Sequence, residues 1–310
     1  MSRILKIGAA QSGPVNNIEK KSDVVERLIS LLKMAHKQGC ELVVFTECAL
    51  TPFFPHWWID NIVEFESYFE ISMPNKEVDP LFNEAKYLGI SFYLGYAELD
   101  CVNGEKRYYN SSVLVDNNGI IVGKYRKIHL PGHYEYRPLN KFQNLEKRYF
   151  NIGNLGFQVF KLYNTKIGMC ICNDRRWPET FRTLALSGAE IILLGYNTPV
   201  HCPDFPDINQ FVSMHNLLCL QAGAYQNSVW IVSVAKAGTE EGVVQLGEST
   251  IISPTGEVKV MSKTLEDELI VHECDLSIGE YYRREIFNFK KNRKPEYYKI
   301  ISDIKQNIII

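Results

Sequence analysis

Short apolar runs of strand length alternate with segments of helical periodicity along the whole chain. Residues 18–38 carry apolar side chains at the spacing of an amphipathic helix, and Gly39 follows at a position where helices commonly end. Residues 5–11 form a short apolar run, and 42–45 form a compact β-branched and aromatic run, both of strand length. This order predicts an α/β fold.

The second half of the chain repeats this order, and the whole chain contains two predicted hairpins. The turn sequences 116–119 and 254–257 are rich in residues that favour tight turns between strands. Alternating helices and strands, with these hairpins, predict mixed sheets in one domain covering 1–310. The other predicted strands are 92–95, 111–115, 120–125, 166–171, 189–194, 229–235, 249–253, 258–261 and 268–275. The other predicted helices are 80–88, 178–187 and 214–226.

Composition and charge limit the partners that this chain can bind. Charged residues make up 23% of the chain and the net charge is −2, so no overall field favours nucleic acid or an anionic membrane. The first ten residues lack the pattern of a signal peptide, and no run of about 18 uncharged apolar residues predicts a membrane span. We therefore expect a cytoplasmic protein that acts on a small-molecule substrate.

The eight cysteines are expected to stay reduced. A chain of 310 residues can bury a large apolar core without disulfides, and no export signal is visible. Cys170 and Cys172 lie two residues apart, but no second cysteine or histidine pair stands at zinc-ligand spacing. We therefore predict no metal site.

Glu47, Lys127 and Cys172 each lie within two residues of the end of a predicted strand. Taken singly, each has an ordinary structural explanation. The glutamate can lie in a solvated loop, the lysine can belong to a solvated basic face, and the cysteine can be a small buried side chain.

The setting of Cys172 favours a functional explanation. Residues 172–179 form a predicted strand–turn–helix junction, which can present a nucleophile on a sharp turn beside a helix N-terminus. The helix dipole and nearby cations would stabilise the thiolate. Arg175 and Arg176 follow closely, and arginine binds carboxylates through two parallel hydrogen bonds. The pattern predicts a nucleophile beside a carboxylate-binding group.

The segments around these three residues resemble the signature of the nitrilase superfamily of carbon–nitrogen hydrolases. The resemblance covers essentially the whole chain. Within the superfamily it is most specific for the N-carbamoyl-D-amino-acid amidohydrolases. The segments that carry this specific resemblance are 127–133, 145–150, 171–179, 195–199 and 221–223.

The resemblance implies an α-β-β-α sandwich with a catalytic triad of Glu47, Lys127 and Cys172, and with Glu146 as a second glutamate. Glu47 would act as general base, and Lys127 would stabilise the oxyanion formed when Cys172 attacks the carbamoyl carbon. The products would be a D-amino acid, carbon dioxide and ammonia, and no cofactor is required. The residues implied to bind the substrate, with the two arginines on its carboxylate, are Asn173, Arg175, Arg176, His129, Asn197 and Thr198.

The resemblance also implies a homo-oligomer, either a dimer or a tetramer. The C-terminal tail, about 280–310, is basic and aromatic and ends in the apolar run 308–310. Such a tail needs a surface to cover it, and we expect that surface to belong to a partner subunit.

Two positions depart from the family pattern. Thr46 stands where the family has proline, which would loosen the turn before Glu47. Asn144 stands where the family has a histidine that faces the substrate. Asparagine keeps hydrogen-bonding capacity but cannot become cationic, so this change bears on substrate preference and rate more than on the reaction class.

Two alternatives remain open from the sequence. The chain can be another amidase, nitrilase or β-ureidopropionase of the same superfamily, or a non-catalytic binding protein that keeps the fold. The sequence leaves the enantiomer open. The aromatic stretch 53–58 is either a packed loop or an apolar wall of the substrate pocket.

Overall fold

The computed structural model describes residues 3–303. Its strands are β1 (Ile4–Gln11), β2 (Leu42–Val44), β3 (Ser91–Val102), β4 (Glu105–Val115), β5 (Ile121–Arg126), β6 (Val159–Leu162), β7 (Thr165–Ile171), β8 (Ile191–Tyr196), β9 (Trp230–Ala235), β10 (Ala237–Glu240), β11 (Val243–Leu246), β12 (Thr250–Ile252), β13 (Val258–Met261) and β14 (Glu268–Asp275). Its α-helices are α1 (Lys21–Lys37), α2 (Ile62–Ser67), α3 (Asp79–Leu88), α4 (Glu146–Tyr149), α5 (Pro178–Leu186), α6 (Val212–Asn227), α7 (Leu276–Tyr282), α8 (Phe289–Asn292) and α9 (Lys299–Asp303).

Within this described part, the strands form two six-stranded sheets and a separate hairpin of β10 and β11. The order is β14-β1-β2-β3-β4-β5 in the first sheet and β13-β12-β9-β8-β7-β6 in the second. The three strands β1, β2 and β3 run parallel, as do β7, β8 and β9, and the outer strands pair antiparallel. The prediction of mixed sheets is confirmed.

Both faces of each sheet are covered, and strand β2 shows why. Leu42 and Val44 pack in the core between the two sheets, whereas Val43 packs in a second core with side chains of α1 and α3. Successive side chains of a strand point to opposite faces, so this alternation requires a layer on each side. Helices α5 and α6 cover the second sheet through Phe181 and Leu220. The predicted α-β-β-α sandwich is therefore confirmed.

Most predicted elements are present with shifted ends. Helix α1 begins at Lys21 rather than at residue 18, because Asn16 and Glu19 form a local turn first. In that turn the backbone N–H of Glu19 donates to the Asn16 carbonyl at 2.9 Å, and the Glu19 side chain accepts from the Asn16 N–H at 2.8 Å.

Strand β3 is much longer than the predicted 92–95 and pairs with β4 as far as Val102. Glu98 and Asp100 interrupt the apolar pattern that the prediction relied on. Both carboxylates accept hydrogen bonds from the Arg126 guanidinium at 2.8 Å, so the strand continues through charged positions. Helix α2, strand β6 and the hairpin β10–β11 were absent from the prediction, because they are short and lack a clear period.

The C-terminal segment after β14 packs on its own chain. The Arg182 guanidinium lies 4.2 Å from the ring centroid of Phe289, and the rings of Tyr225 and Phe287 are 5.2 Å apart. Tyr297 remains exposed. Packing of this tail on a partner subunit stays a prediction, and its apolar end at 308–310 lies outside the described residues.

The two longest helices, α1 and α6, have 17 and 16 residues. Of the residues from 3 to 303, none belongs to a helix that is both long and apolar enough to cross a membrane.

Candidate active site

Glu47 lies in a turn held between the two sheets. Glu47 comes shortly after β2 and is completely buried. A Cβ atom at Gly95 on β3 would lie 2.5 Å from the Thr46 carbonyl oxygen, and one at Gly195 on β8 would lie 2.3 Å from the Glu47 nitrogen. Both positions must be glycine for this backbone to pass between the sheets.

The Glu47 carboxylate is fixed at both oxygens. Its Oε1 accepts from Lys127 Nζ at 2.8 Å and from Asn110 Nδ2 at 2.7 Å. Its Oε2 accepts from the Asn197 backbone N–H at 2.8 Å and from Asn197 Nδ2 at 3.1 Å. A carboxylate held in this way has a defined orientation for proton transfer.

Lys127 joins the two predicted glutamates. Its Nζ donates to Glu146 Oε2 at 2.6 Å as well as to Glu47, and its side chain is wholly buried. Burial opposes the charge, but the Cys172 sulfur, when it is ionised, and the carboxylates of Glu146 and Glu47 outweigh burial and raise the pKa of Lys127 well above its usual range. Lysine has three N–H donors. Two point to Glu47 and Glu146, so one is left for a substrate oxygen.

Glu146 is the first residue of α4 and is almost fully buried. Burial raises the pKa of its carboxyl to about 7, with the Lys127 charge opposing the rise and the Glu47 charge adding to it. Glu146 therefore changes its charge close to neutral pH, as ionisable groups with shifted pKa values at functional sites often do.

Cys172 follows β7 directly and begins a tight helical turn, Cys172–Arg176, that leads into α5. Its φ angle of 47° lies in the left-handed region, which is uncommon for a side-chain-bearing residue. Asp174 stabilises the turn by accepting from the Ile171 backbone N–H at 3.0 Å. This confirms the predicted strand–turn–helix junction.

The protonation of Cys172 differs from the prediction of a stabilised thiolate. Burial raises the pKa of the thiol to about 11, and the Glu47 charge adds to the rise while Lys127 and Arg175 oppose it. The thiol donates to the Asn197 carbonyl at 3.4 Å. Loss of hydration and the adjacent carboxylate outweigh the nearby cations, so Cys172 rests as a thiol that needs a base.

The two arginines have different surroundings. Arg175 is buried and uses its guanidinium on the protein. It donates to Asn216 Oδ1 at 3.0 Å, to the Cys172 carbonyl at 2.8 Å and to Thr198 Oγ1 at 2.9 Å. Arg176 is exposed and has no hydrogen-bond or ion-pair partner anywhere in the described range 3–303. Of the pair predicted to hold a carboxylate, only Arg176 has a free guanidinium.

His129 packs against the turn Cys172–Arg176 and is not among the residues that line the cavity. Its Nδ1 and its backbone N–H both pair with Asp174 Oδ1, at 2.8 Å and 3.0 Å, and its ring stacks on Trp177 with centroids 4.8 Å apart. The Asn173 side chain donates to the His129 carbonyl at 3.0 Å. Asp174 fixes the His129 ring. His129 therefore contacts the cavity only indirectly, through its hydrogen bonds with Asp174 and Asn173.

The cavity beside Cys172 encloses about 60 Å³. Of the stretch 53–58, Phe53 and His56 line it, so part of the aromatic loop is a pocket wall. The predicted Asn144 also lines it and is half-buried. The complete set of lining residues is Phe53, His56, Pro131, Asn144, Glu146, Cys172, Asn173, Arg175, Arg176, Asn197, Thr198 and Pro199.

A sequence model of the carbon–nitrogen hydrolases matches residues 6–284, which is most of the chain. The chain belongs to the carbon–nitrogen hydrolase family. This agrees with the resemblance to the nitrilase superfamily at the level of the family.

This hydrolase is 34% identical to the nitrilase of Pyrococcus abyssi (strain GE5 / Orsay) over 300 residues, covering 95% of this chain and 99% of the relative. It is 27% identical to the N-carbamoylputrescine amidase of Solanum lycopersicum over 312 residues, covering 97% and 95%. The crystal structure of a carbon–nitrogen hydrolase from Helicobacter pylori G27 has the same fold, with a TM-score of 0.82 at 23% identity, covering 97% of this chain and 99% of that chain. These relatives support the family and do not single out the N-carbamoyl-D-amino-acid amidohydrolases.

Donor atoms of Glu47, Glu146 and Cys172 all lie within 4.8 Å of one another, a spacing at which three groups could share a metal ion. In this hydrolase the Lys127 ammonium already contacts both carboxylates. The lysine thus supplies the positive charge that balances them.

Several residues that position the site were missed in the sequence. Asn110 on β4 donates to Glu47 and accepts from the Lys127 backbone N–H at 2.8 Å. Asp174 stabilises the turn Cys172–Arg176, and Gly95 and Gly195 leave room for the turn that contains Glu47. Asp174 lies two residues after Cys172 and could have been found as a partner within the junction, whereas the two glycines and Asn110 carry no local signal.

Proposed function

We propose that this hydrolase cleaves N-carbamoyl-D-amino acids to the D-amino acid, carbon dioxide and ammonia through a covalent intermediate on Cys172. The observation that supports a carboxylate-bearing substrate is Arg176, which lines the cavity and has no partner within residues 3–303. A guanidinium binds a carboxylate through two parallel hydrogen bonds. The D series rests on the family resemblance.

The charges of the cavity wall favour an anionic substrate. Two arginines line the cavity, and the one carboxylate among the lining residues, Glu146, already accepts from Lys127. Loss of hydration beside the surrounding protein lowers the pKa of the Arg176 guanidinium, and repulsion from the Arg175 charge lowers it further. A bound carboxylate would offset both effects, whereas a cationic tail would add to the repulsion.

The chemistry begins when Glu47 takes the proton of the Cys172 thiol and the sulfur attacks the carbamoyl carbon. The carbonyl electron pair moves to oxygen, and the remaining N–H of Lys127 donates to that oxyanion. Glu47 returns the proton to the departing ammonia, which leaves an S-linked carbamoyl group on Cys172. Water then cleaves the carbon–sulfur bond, and the released carbamic acid loses carbon dioxide to give the amino acid.

A substrate series tests this proposal. We expect the highest kcat/KM for an N-carbamoyl-D-amino acid, and much lower values for its L-isomer, its α-carboxamide and N-carbamoylputrescine. Substitution Arg176→Lys keeps the charge but loses the planar fork, so it should lower kcat/KM for the carboxylate substrate about tenfold. It should change turnover of the carboxamide little. A preference of the wild type for N-carbamoylputrescine, or for simple amides, would contradict the proposal.

We also propose that the protein is a cytoplasmic homo-oligomer. Apolar side chains remain exposed on α6, namely Met214, Leu218 and Tyr225, and a second copy of the chain could cover them. Light scattering coupled to size-exclusion chromatography would test the assembly, and a mass of one chain at micromolar concentration would contradict it.

A further inference from the structure

Two loops on the walls of the active-site cavity come from different sheets. The loop 131–144 comes after β5 of the first sheet, and both of its end residues line the cavity. The loop 197–205 follows β8 of the second sheet, and its first three residues line the cavity. The separation of these two walls therefore depends on contacts between the loops as well as on the sheets beneath them.

The loop 131–144 is braced by hydrogen bonds of its own. The His133 backbone N–H donates to the Asn144 carbonyl at 2.9 Å, and the Asn144 backbone N–H donates to His133 Nε2 at 3.4 Å. The Gln143 side chain accepts from the Arg137 backbone N–H at 2.9 Å and donates to the Arg137 carbonyl at 2.8 Å. The outer part of this loop is therefore connected to the cavity wall through His133 and Gln143.

The loop 197–205 is anchored at its start on strand β11. The Leu246 backbone N–H donates to the Thr198 carbonyl at 2.8 Å, and the Val200 backbone N–H donates to the Val244 carbonyl at 2.9 Å. Asp204 lies four residues beyond Val200, and its side chain is only 11% exposed. The wall at residues 198–200 is thus fixed to the protein, and Asp204 extends from it.

Asp204 joins the two loops through its carboxylate. Its Oδ1 accepts from Asn140 Nδ2 at 2.7 Å and forms an ion pair with the Arg137 guanidinium. Its Oδ2 lies 3.7 Å from His133 Nε2. Burial opposes the charge of Asp204, but the hydrogen bonds from Asn140 and Arg137 outweigh burial and lower the pKa of its carboxyl. One charged group of the second loop therefore contacts three side chains of the first.

We propose that Asp204 is a positioning residue that holds the two cavity walls together and so limits the size of the group that can reach Cys172. A charge-assisted hydrogen bond is stronger than a neutral one, so the contact with Arg137 resists separation of the loops. His133 lies beside Asp204 and is bonded to Asn144, which carries the contact to a residue of the lining. This inference goes beyond the proposed function, because it concerns access to Cys172 and not the identity of the substrate.

The test measures alkylation of Cys172 by a small reagent, iodoacetamide, and by a bulkier one, N-phenylmaleimide. Mass spectrometry follows Cys172, and fragment spectra separate it from the buried Cys170. The ratio of the maleimide rate to the iodoacetamide rate reports access, because a change in the thiolate fraction affects both rates equally. In Asp204→Ala we expect this ratio to rise at least about fivefold, because the charge-assisted contact between the loops is lost.

Two variants serve as comparisons. Asp204→Asn keeps an oxygen acceptor but loses the charge, so the ratio should rise less than in Asp204→Ala. Asp267→Ala is the control. Asp267 also accepts from an arginine through both oxygens, at 2.8 Å and 3.0 Å from Arg27, but it does not line the active-site cavity. Its loss should leave the ratio unchanged.

Equal acceleration of both reagents in Asp204→Ala would overturn the inference, since a general loss of stability predicts that result. An unchanged ratio overturns it as well. Should Asp204→Ala not fold, Arg137→Gln breaks the same ion pair from the other loop, at a side chain that is 42% exposed, and should also raise the ratio. The measurement needs no turnover, so failure of the proposed function would leave this inference standing.

Discussion

Glu47 and Asn197 are 150 residues apart in the chain and are joined by three hydrogen bonds. The backbone N–H and side-chain amide of Asn197 donate to Glu47 Oε2 at 2.8 Å and 3.1 Å, and the same amide donates to the Glu47 carbonyl at 3.0 Å. Glu47 follows a strand of the first sheet and Asn197 follows a strand of the second. The proposed base is therefore oriented by the packing of one sheet on the other.

Replacing Asn197 by alanine should weaken catalysis and stability together. The change removes two of the three bonds, so we expect a loss of about 1–3 kcal/mol in the free energy of unfolding and a fall of about 10- to 100-fold in kcat/KM. Denaturant titration and steady-state kinetics measure the two effects. Asn227→Ala is the control, because this buried asparagine donates to the Gly223 carbonyl away from the site. A similar fall in kcat/KM for both variants would contradict the orienting role.

Cys172→Ala should lower kcat by more than about 10³-fold, because it removes the proposed nucleophile. The matched variant is Cys170→Ala. Cys170 is completely buried in the core between the sheets, so its loss should cost about 1 kcal/mol of stability and little activity. Mass spectrometry of enzyme quenched during turnover should find the carbamoyl adduct on Cys172. Comparable activities of the two variants would exclude the assignment of the nucleophile.

Glu47→Gln separates electrostatics from base catalysis at Cys172. The Glu47 and Glu146 charges both raise the pKa of the Cys172 thiol. On electrostatic grounds alone, removing either charge should produce more thiolate and faster alkylation by iodoacetamide. If Glu47 accepts the thiol proton, Glu47→Gln should instead slow alkylation, whereas Glu146→Gln should accelerate it. Faster alkylation in both variants would show that Glu47 does not act as the base.

The pH dependence of kcat/KM should show a limb that belongs to Glu146. The carboxyl has its pKa raised to about 7, so it is protonated below that value and charged above it. Only the charged form accepts fully from the Lys127 ammonium, and therefore kcat/KM should rise between about pH 6 and about pH 8. Glu146→Gln should lower the activity and remove this limb. An unchanged limb in that variant would assign it to another group.

Arg175→Lys should destabilise the protein without changing substrate preference. Its guanidinium bonds to Asn216, Thr198 and the Cys172 carbonyl, and lysine cannot reproduce that fork. We expect a loss of about 2–4 kcal/mol in the free energy of unfolding, and equal fold-losses in kcat/KM for a carboxylate substrate and its carboxamide. A loss confined to the carboxylate substrate would mean that Arg175 also binds it.

The sequence predicted the α/β order of this fold and the strand–turn–helix junction at Cys172, and the resemblance supplied its layers. Helical and strand periodicities depend on neighbouring residues, so the elements around 18–38 and 42–45 could be recognised locally. The junction after β7 was also local, because strand, turn and helix follow one another. The length of strand β3 was underestimated. Its charged residues Glu98 and Asp100 accept hydrogen bonds from Arg126 on another strand, a contact that the local pattern does not show.

What the sequence determined by itself is the α/β order, the turn that presents Cys172 and the set of residue types available for chemistry. The tertiary structure alone decided that burial raises the pKa of the Cys172 thiol, that Arg175 is committed to the protein and that His56 lines the cavity. The physical reason is that protonation and hydrogen bonding depend on burial and on partners from distant strands. The Glu47 carboxylate is held in one position because two sheets close around it, and spacing along the chain carries no record of that contact.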